Sequence, residues 1–535
     1  MKTRSRKILK WTGAVLGIIV LIVGSLGIYI WYNMPRPHGK KPELQTELFK
    51  KPEAEFPVNG IYIFKSATEL AELIRTKKAT SVDITQEFIN FIKNNNYKTN
   101  AFVWLFENEA LEAARKADEK VARGEKLGSL HGVPVCIKEQ FWIKGKYSNV
   151  NAVQFQSFIA PQNAAIVDAW INEGAIILGT TNIPNMLIDL QTFGDLYPRG
   201  NNPYDTSYTC GGSTGGGAAA VASGFCPLAL GGDMGGSIRV PSAFCGLYGL
   251  KPTENTMESY GTFPDLSSDK TYVTMAVTGP IARTIEDIDL SWKALIKPWY
   301  ENQKWRSADS GKELGQYKVA YLEEWHYGKH KIPISASLKE KMDKLITNLI
   351  NNGVSVKNTE PANFEAMRQL HWLQTVYMVF NKEPWIIRQL IKMDYKNATA
   401  KTNMDLSEGV ERIGDLSKNQ YKDIRYRRDT LSEAMEKFFT NFDFLILPVT
   451  PGPAIKHNPD HNTITLDDKS ILYWDYFNYP MCFNLTGHPA LTVPLGLDKN
   501  GLPLAIQIVG PLYSEPQLIQ FAKLIEHLHE GYSKP

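Results

Sequence analysis

Residues 210–253 contain the segments CGGSTGGGAAA (210–220), GGDMGGSIRVPS (231–242) and CGLYGLKPT (245–253). Glycine loses more backbone freedom on folding than any other residue, so a stretch this rich in glycine is costly to order. That cost is typical of a loop whose backbone N–H groups must approach another group closely. A flexible linker is disfavoured, because large apolar side chains run through the stretch, among them Val221, Phe225, Leu230 and Phe244.

These segments resemble the amidase signature family, whose members cleave carboxylic amides with a Ser–Ser–Lys triad. The family pattern is Gly-Gly-Ser, followed by Asp-x-Gly-Gly-Ser-Ile-Arg, Cys-Gly and Lys-Pro-Thr. Here the pattern is carried by Gly211–Ser213, Asp233–Arg239, Cys245–Gly246 and Lys251–Thr253. Thr214 stands where a second Ser is common, and Gly232 stands where Thr is common. Neither position has a triad role in the family.

A second matching segment precedes the glycine-rich stretch and reads HGVPVCIKE over residues 131–139. Val133–Ile137 is apolar enough to predict a buried strand, with Lys138 at its end. Taken alone, a lysine that closes an apolar strand is usually an exposed end charge. The family places its catalytic lysine in a Gly-(Ile/Val)-Pro-x-x-x-Lys segment, so the resemblance assigns that role to Lys138.

The resemblance implies three catalytic roles. Ser237 is the nucleophile, Ser213 relays its proton to and from the base, and Lys138 is that base. A lysine base must be neutral in the resting enzyme, although the pKa of a free lysine is about 10.4. Burial at the end of an apolar strand lowers this pKa, because desolvation disfavours the ammonium form. A nearby carboxylate would oppose the shift, so we expect Glu139 to point away.

The resemblance also implies an oxyanion hole made of backbone N–H groups. The donors are those of Met234, Gly235, Gly236 and Ser237. The glycines fit this role, because a Cβ there would block the close approach of the substrate.

Two further features of the site follow from the same segments. Asp233 and Arg239 bracket the nucleophile, and their opposite charges predict an ion pair that holds the loop in place. In the family the relay serine follows a cis peptide bond, which implies a cis bond between Gly212 and Ser213.

A competing interpretation comes from Gly211–Gly215, which fits Gly-x-Ser-x-Gly, the nucleophile elbow of α/β-hydrolases. That motif needs a strand directly before its serine, whereas residues 201–210 are rich in turn formers and predict a loop. It also needs a downstream histidine, and His488 lies in a Gly-His-Pro setting that itself resembles the amidase signature family. The amidase interpretation is therefore favoured.

No metal or cofactor is expected. His457-x-x-x-His461 has a spacing found in zinc sites, but Pro459 prevents a helix between the two histidines, and we expect a surface loop there. The glycine run also lacks the Gly-Lys-Ser/Thr ending of a phosphate-binding loop.

The composition is that of a globular protein, with 43% hydrophobic and 21% charged residues in a chain of 535. The formal net charge is +3, but five basic residues crowd the first ten positions without an acid. The rest of the chain is nearly neutral, which disfavours nucleic acid as a main partner. The five cysteines are odd in number and three lie in or beside the glycine-rich stretch, which predicts buried thiols rather than disulfides.

The N-terminal region predicts a membrane anchor. Residues 1–10 form a basic tail, and residues 11–32 carry no charge, with aromatic side chains at both ends. A helix needs about 20 such residues to span a bilayer. The span is longer than a signal-peptide core and no cleavage site follows, so we expect an uncleaved transmembrane helix, with the N-terminus cytoplasmic and the catalytic domain extracytoplasmic. The proline-rich residues 33–60 predict an extended tether.

Residues 61–535 predict one amidase domain. Helices and buried strands alternate, as in Ala164–Glu173 followed by Ala175–Leu178, which favours a three-layer α/β/α sandwich with a large mixed central sheet. Residues 300–440 predict mainly helices and resemble the family less. The aromatic side chains of this region belong either to the core or to the wall of an acyl pocket: Trp372, Tyr377, Phe380, Trp385 and Tyr395.

The expected activity is hydrolysis of a carboxylic amide through an acyl-enzyme on Ser237. The N-terminal span makes the chain similar to the membrane-anchored fatty acid amide hydrolases of the family, which implies hydrophobic or lipid amides as substrates. Three alternatives stay open: a glutaminase-type subunit of a tRNA-dependent amidotransferase, a peptide amidase, and a catalytically silent binding protein tethered to the membrane. The oligomeric state also stays open, with a homodimer as one alternative.

Overall fold

The computed structural model describes residues 42–263, 274–308, 311–327, 330–380 and 417–535. The predicted transmembrane helix lies outside these ranges. None of the helices within them is long and apolar enough to cross a membrane.

The described residues form both α-helices and β-strands. The α-helices are α1 (Ala67–Arg75), α2 (Ser81–Thr99), α3 (Glu107–Ala122), α4 (Ala165–Asn172), α5 (Gly215–Ala222), α6 (Arg239–Phe244), α7 (Ile285–Ile296), α8 (Ala336–Asn351), α9 (Phe364–Phe380), α10 (Lys418–Phe438), α11 (Asn478–Leu485) and α12 (Glu515–Ile525). The strands are β1 (Phe102–Leu105), β2 (Pro134–Lys138), β3 (Ile176–Thr181), β4 (Leu228–Asp233), β5 (Tyr248–Lys251), β6 (Val277–Ala282), β7 (Lys318–Tyr321), β8 (Trp325–Tyr327), β9 (His330–Ile332), β10 (Ser355–Asn358), β11 (Phe444–Pro448), β12 (Ile464–Leu466), β13 (Lys469–Ile471), β14 (Ala490–Leu497) and β15 (Pro503–Val509).

Eleven of these strands form one mixed sheet in the order β1-β3-β2-β4-β6-β5-β14-β15-β11-β7-β10. β2 is parallel to both β3 and β4, and β7 is parallel to both β10 and β11. The other pairs in the sheet are antiparallel. The predicted α/β fold with a large mixed sheet is therefore confirmed.

Each face of this sheet carries its own apolar core. In β11, Phe444 and Ile446 belong to one buried cluster, whereas Leu445 and Leu447 belong to another. Successive side chains of a strand point to opposite faces, so the two clusters lie on opposite sides of the sheet. Apolar layers on both faces are what a three-layer sandwich requires.

Residues 42–60, predicted as part of an extended tether, instead lie against the domain. The Gln45 carboxamide forms two hydrogen bonds with the backbone of Leu105, at 2.8 and 3.1 Å. The backbone of Phe56 forms two with the Asn94 side chain, each at 2.8 Å. A proline-rich composition disfavours helix and sheet but does not prevent hydrogen bonds between an extended segment and the domain, and the tether role of residues 33–60 stays a prediction.

Residues 300–440, predicted to be mainly helical, also contribute two strands to the sheet. β7 pairs with β11, with Val319 opposite Phe444, and β10 extends the sheet beyond β7. The prediction missed both strands because each has only four residues, which is too few for a clear alternation of apolar and polar side chains.

The aromatic side chains described in this region pack within the fold. Trp372 is buried and meets Trp474 edge to face, with ring centroids 5.5 Å apart. Tyr377 stacks on Tyr421 at a centroid distance of 3.9 Å. Trp372 is therefore a core residue, while Trp385, Tyr395 and the side chain of Phe380 lie outside the described part of the chain.

Candidate active site

The site lies where two parallel strands end side by side. β2 ends at Lys138 and the adjacent β4 ends at Asp233. Ile137 is paired with Leu230 in parallel register, so both carboxyl ends meet at the same edge of the sheet. The glycine-rich loop that follows β4 therefore starts next to Lys138.

Lys138 is buried, with 1% of its surface exposed. Its Nζ lies 2.8 Å from Ser213 Oγ and 3.1 Å from the carbonyl oxygen of Gly232. Burial lowers the pKa of Lys138 to about 7, because desolvation disfavours the ammonium form, and the charge of Asp233 opposes that shift. A substantial share of Lys138 is thus neutral near pH 7 and able to accept a proton. The strand pattern alone suggested an exposed lysine at the end of β2, and the burial of Lys138 excludes this alternative.

Glu139 points away from Lys138, as expected for adjacent residues at the end of a strand. Its carboxylate accepts the N–H groups of Asn149 at 2.6 Å and Val150 at 3.0 Å. Burial raises the pKa of Glu139 to about 8, while these two bonds act in the opposite direction. The carboxyl group therefore holds the segment after β2 and, being mostly uncharged near pH 7, does not stabilise the ammonium form of the lysine.

Ser213 is buried at the start of α5 and follows a cis peptide bond from Gly212, as the resemblance implies. Its neighbour Thr214 makes two bonds, one to the loop that carries Ser237 and one to the end of β4. The Thr214 N–H donates to the carbonyl oxygen of Ser237 at 3.1 Å, and the Thr214 hydroxyl donates to the carbonyl oxygen of Gly232 at 3.2 Å. These bonds fasten the Ser213 segment to the loop that carries Ser237.

Glycine allows α5 to pack this close to the sheet. A Cβ on Gly216 would lie 2.3 Å from the backbone nitrogen of Asn182, directly after β3. Such a contact is too short for any side chain, so a glycine is required here.

Ser237 is 8% exposed, and its hydroxyl has no hydrogen-bond partner in the described ranges. The N–H groups of Met234, Gly235 and Ser237 likewise have no acceptor among the residues that the structure describes. An oxyanion next to the Ser237 hydroxyl can therefore be bound without breaking an existing bond. These three N–H groups, predicted from the sequence as oxyanion donors, are therefore available to a bound acceptor, and their role in an oxyanion hole stays a prediction.

Gly236 differs from the predicted arrangement. Its N–H donates to Asp233 Oδ1 at 2.8 Å and is not free for an oxyanion. Its φ is 115°, and a Cβ would lie 2.6 Å from Pro480 Cγ. The glycine at this position is therefore required by backbone conformation and a protein neighbour, rather than by the substrate.

Asp233 and Arg239 form the predicted ion pair, with both side chains fully buried and Nη2 3.0 Å from Oδ1. Asp233 also accepts the N–H of Ile238 at 3.1 Å, and Arg239 donates to Gln507 Oε1 at 2.9 Å. Burial alone would raise the pKa of Asp233, but the charge of Arg239 and several hydrogen bonds hold it well below its usual range. The pair joins the two ends of the Ser237 loop and ties them to β15.

The comparison with protein families agrees with this geometry. The family model described as amidase matches residues 83–519, which is more than half of the chain. The chain belongs to the amidase family. It is therefore an enzyme that hydrolyses carboxylic amides.

Curated relatives of this amidase cover nearly the whole domain. A glutamyl-tRNA(Gln) amidotransferase subunit from Nostoc sp. is 29% identical over 494 residues, which cover 86% of this chain and 97% of the relative. The corresponding protein from Chlamydia abortus is 30% identical over 495 residues, covering 85% and 94%. Identities of this size leave the substrate unresolved.

Solved structures of other amidases share the fold. A bacterial aryl acylamidase superposes with a TM-score of 0.72 at 23% identity, covering 87% of this chain and 96% of its own. A fatty acid amide hydrolase superposes with a TM-score of 0.67 at 21% identity, covering 87% and 85%. These likenesses show the amidase signature fold alone.

One departure from the family pattern is filled by a neighbouring side chain. A Cβ on Gly232 would lie 3.0 Å from both Nε2 and Oε1 of Gln140. The carboxamide of this buried glutamine occupies the space that a threonine side chain at position 232 would need. Gly232 stands out in the sequence as a departure from the family pattern, whereas nothing in the sequence marks Gln140, because no local pattern links the two positions.

The histidines raised by the sequence analysis lie outside this site. His457 and His461 lie in a loop, as predicted, but His461 also binds Asp189 at 2.7 Å and stacks on Tyr473. His488 is buried and contacts Glu436 at 3.2 Å, so it does not complete a triad with Ser213. The described residues contain no cluster suited to a metal ion. All five cysteines are buried and free.

Proposed function

We propose that this amidase forms an acyl-enzyme on Ser237, with Ser213 as the proton relay and Lys138 as the general base. The observation that carries this proposal is the 2.8 Å contact between Lys138 Nζ and Ser213 Oγ. The Thr214 N–H, next to Ser213, binds the Ser237 carbonyl oxygen at 3.1 Å and so brings the two serine segments together. Amides are poor electrophiles with poor leaving groups. Their hydrolysis needs a nucleophile, a base, an oxyanion site and an acid for the departing amine, and this cluster offers a group for each.

In acylation, Ser237 Oγ forms a bond to the acyl carbon while its proton passes to Ser213 Oγ and the Ser213 proton passes to Lys138 Nζ. The N–H groups of Met234, Gly235 and Ser237 bind the oxyanion that develops. The C–N bond then breaks, and the proton returns from Lys138 through Ser213 to the leaving nitrogen. Water attacks the acyl-enzyme by the same proton path, which releases the acid and restores Ser237.

We further propose hydrophobic amides as the substrate class. The support is an apolar wall at the oxyanion loop, where the Met234 side chain packs against the buried cluster that contains Leu190 and Met481. A Cβ on Gly235 would lie 3.7 Å from Met481 Cγ, so this wall reaches the predicted oxyanion donors. Burying an apolar acyl chain against it contributes roughly 25 cal/mol per Å².

Glutamine is the second candidate substrate. Two observations favour it: the names of the curated relatives, and a charged pair near the site, where Arg368 is buried and lies 3.3 Å from Asp475. Arg368 lies one helical turn before His371, whose ring contacts the Met234 carbonyl. A zwitterionic amino acid needs one cation and one anion to bind its carboxylate and ammonium groups.

The test of the catalytic proposal is fluorophosphonate labelling of the purified protein, followed by peptide mapping. We expect the label on Ser237, its loss in Ser237→Ala, and slower labelling in Ser213→Ala and Lys138→Ala. A label on Ser213 would contradict the proposal and favour the nucleophile elbow. No label in the wild-type protein would favour a silent binding protein.

The substrate proposal is tested by comparing kcat/KM for a series of primary amides of rising acyl length with kcat/KM for glutamine. For an enzyme of hydrophobic amides, kcat/KM increases with each added pair of methylene groups, since each buried CH₂ contributes about 0.8 kcal/mol. Turnover that is independent of chain length, or a preference for glutamine, would overturn the proposal. Copurification with a second subunit would strengthen the glutaminase alternative.

We also propose that residues 11–32 anchor the enzyme in a membrane, with the amidase domain on the extracytoplasmic side. The support is the uncharged span together with the basic residues before it. Carbonate extraction should leave the full chain in the membrane fraction and release a variant that lacks residues 1–41. Digestion of the amidase domain by protease added only on the cytoplasmic side would contradict the proposed orientation.

A further inference from the structure

His371 lies on α9, in the region where the family resemblance is weakest, yet its ring touches the predicted oxyanion loop. The side chain is 3% exposed, and its Nε2 lies 3.1 Å from the carbonyl oxygen of Met234. A Cβ on Gly235 would lie 3.6 Å from His371 Cε1, so the same ring edge faces both residues. The contact joins a helix of the variable region to the loop that carries Ser237.

The tautomer of His371 follows from this contact. A carbonyl oxygen only accepts hydrogen bonds, so Nε2 carries the hydrogen and donates it. Burial lowers the pKa of His371 to about 4, against the opposing effect of the Met234 bond, and the ring is neutral at physiological pH. Nδ1 is buried and has no hydrogen-bond partner in the described ranges. The bond to Met234 is therefore the polar contact that fixes the ring.

The carbonyl that His371 binds belongs to the same peptide unit as the Gly235 N–H. A trans peptide unit is planar, and its C=O and N–H point in opposite directions. Holding the Met234 carbonyl against His371 thus directs the Gly235 N–H to the other side of the loop. A hydrogen bond to the carbonyl also polarises the unit and strengthens the N–H as a donor.

This peptide unit needs support from outside its own loop. Asp233 holds the later part of the loop through the N–H groups of Gly236 and Ile238. It makes no such bond to Gly235, which has no side chain to pack and a backbone with wide conformational freedom. His371 supplies the constraint that the Asp233 carboxylate does not.

We propose that His371 is a positioning residue that aims the Gly235 N–H at the oxyanion, an inference that rests on the proposed acyl-enzyme mechanism. It assigns a role in the reaction to a residue outside the Ser–Ser–Lys motifs. The role differs from simple packing, because it depends on the Nε2 donor and acts on the transition state more than on the bound substrate.

The test uses two variants of matched size. His371→Phe keeps a ring of similar volume and removes the donor, whereas His371→Gln places an amide nitrogen near the position of Nε2. Each is measured for kcat and KM on one primary amide, and for the affinity of a trifluoromethyl ketone. Ser237 Oγ adds to the carbonyl carbon of this inhibitor, and the Ser237 proton passes through Ser213 to Lys138. The ketone oxygen becomes an oxyanion, so the affinity of the inhibitor reports the oxyanion hole directly.

Removing an oxyanion donor outright costs about 10²–10³ in rate, so misaiming one should cost about tenfold or more. We expect His371→Phe to lower kcat and the affinity for the ketone by a similar factor, with KM nearly unchanged. We expect His371→Gln to retain most of the wild-type kcat and most of the wild-type ketone affinity. Equal ketone affinity in the wild type and His371→Phe would overturn the proposal. So would equal losses in both variants, because packing alone then explains the effect.

Two controls separate this proposal from its alternatives. Leu370→Ala removes a buried side chain from the same helix without removing a hydrogen bond. This variant should have lower thermal stability. The ratio of its KM to its dissociation constant for the ketone should equal that of the wild type. If that ratio moves as in His371→Phe, the effect is one of helix packing and the proposal fails. Fluorophosphonate labelling of wild-type Ser237 tests the mechanism itself, so its failure is distinguishable from a failure confined to His371.

Discussion

The carbonyl oxygen of Gly232 accepts a hydrogen bond from Lys138 Nζ at 3.1 Å. A neutral amine has two hydrogens and one lone pair, so directing one hydrogen at Gly232 helps to turn the lone pair towards Ser213 Oγ, 2.8 Å away. Both hydrogen-bonding partners of Nζ are uncharged oxygens. Within the described part of the chain the ammonium form therefore has no contacting carboxylate, and burial is the main cause that sets the protonation state of Lys138.

The first prediction concerns the pH dependence of activity. The pKa of Lys138 is lowered to about 7, and the base works in its neutral form, so kcat/KM should rise about tenfold per pH unit below 7 and level off above it. Lys138→Arg stays cationic and should lose at least about 100-fold at every pH. The measurement is a pH–rate profile from pH 5 to 9.

Lys251 is the control for this assignment. It is a second buried lysine whose pKa is lowered to about 7, chiefly by burial, and its Nζ donates to the carbonyl oxygens of Pro252 and His488. In Lys251→Met, kcat/KM should still increase with pH up to about pH 7, as in the wild type. Loss of that rise in Lys251→Met, or a flat profile in the wild type, would contradict the role given to Lys138.

The second prediction concerns the buried ion pair of Asp233 and Arg239. Asp233→Asn leaves the Arg239 charge buried without its anion, which should cost about 3–5 kcal/mol of unfolding free energy. The exposed pair Glu112–Lys116 is the control, and Glu112→Gln should change the unfolding free energy far less, because solvent screens this pair. Urea unfolding measures both. Equal losses of unfolding free energy in the two variants would show that burial does not set the strength of the Asp233–Arg239 pair.

The third prediction concerns the space beside Gly232. In Gly232→Thr, the new side chain meets the Gln140 carboxamide, and we expect a loss of about 1–3 kcal/mol in unfolding free energy. Adding Gln140→Ala removes the clash and should recover part of that loss. A double-mutant cycle that shows no coupling would mean that the glutamine moves aside freely, contrary to the prediction.

The fourth prediction concerns the five free thiols, all of which are buried. Burial raises the pKa of Cys136, Cys210, Cys245 and Cys482, because desolvation disfavours the thiolate that reacts. Ellman's reagent should therefore modify none of the five rapidly in the native protein and all of them in denaturant. Rapid modification of even one thiol in the folded enzyme would contradict the described packing.

Much of the candidate site was predictable because its chemistry lies in short linear motifs. The two serines and the Asp233–Arg239 pair fall within a stretch of 27 residues, from Ser213 to Arg239, so local spacing already brings them near one another. Lys138 required the family resemblance, since a lysine at the end of an apolar strand is usually exposed. Its burial follows from the parallel pairing of β2 and β4, which no local pattern shows.

The described structure differs from the prediction at three places where a backbone group binds a partner that the sequence pattern does not indicate. Gly236 gives its N–H to Asp233, β7 and β10 extend the sheet, and residues 42–60 bind the domain surface. Each depends on a hydrogen bond whose geometry is set by the folded backbone. Residue types along the chain report helix and strand periodicity, and they carry no information about which N–H finds which acceptor.

The sequence by itself determined the family, the α/β class and the identities of the triad candidates, because these depend on local motifs and on alternating patterns. Only the tertiary structure decided that Gln140 fills the space beside Gly232 and that His371 lies on the Met234 carbonyl. Those partners are 92 and 137 residues apart in the chain. Contacts at such separations arise from the packing of whole helices and strands, which neighbouring residues do not encode.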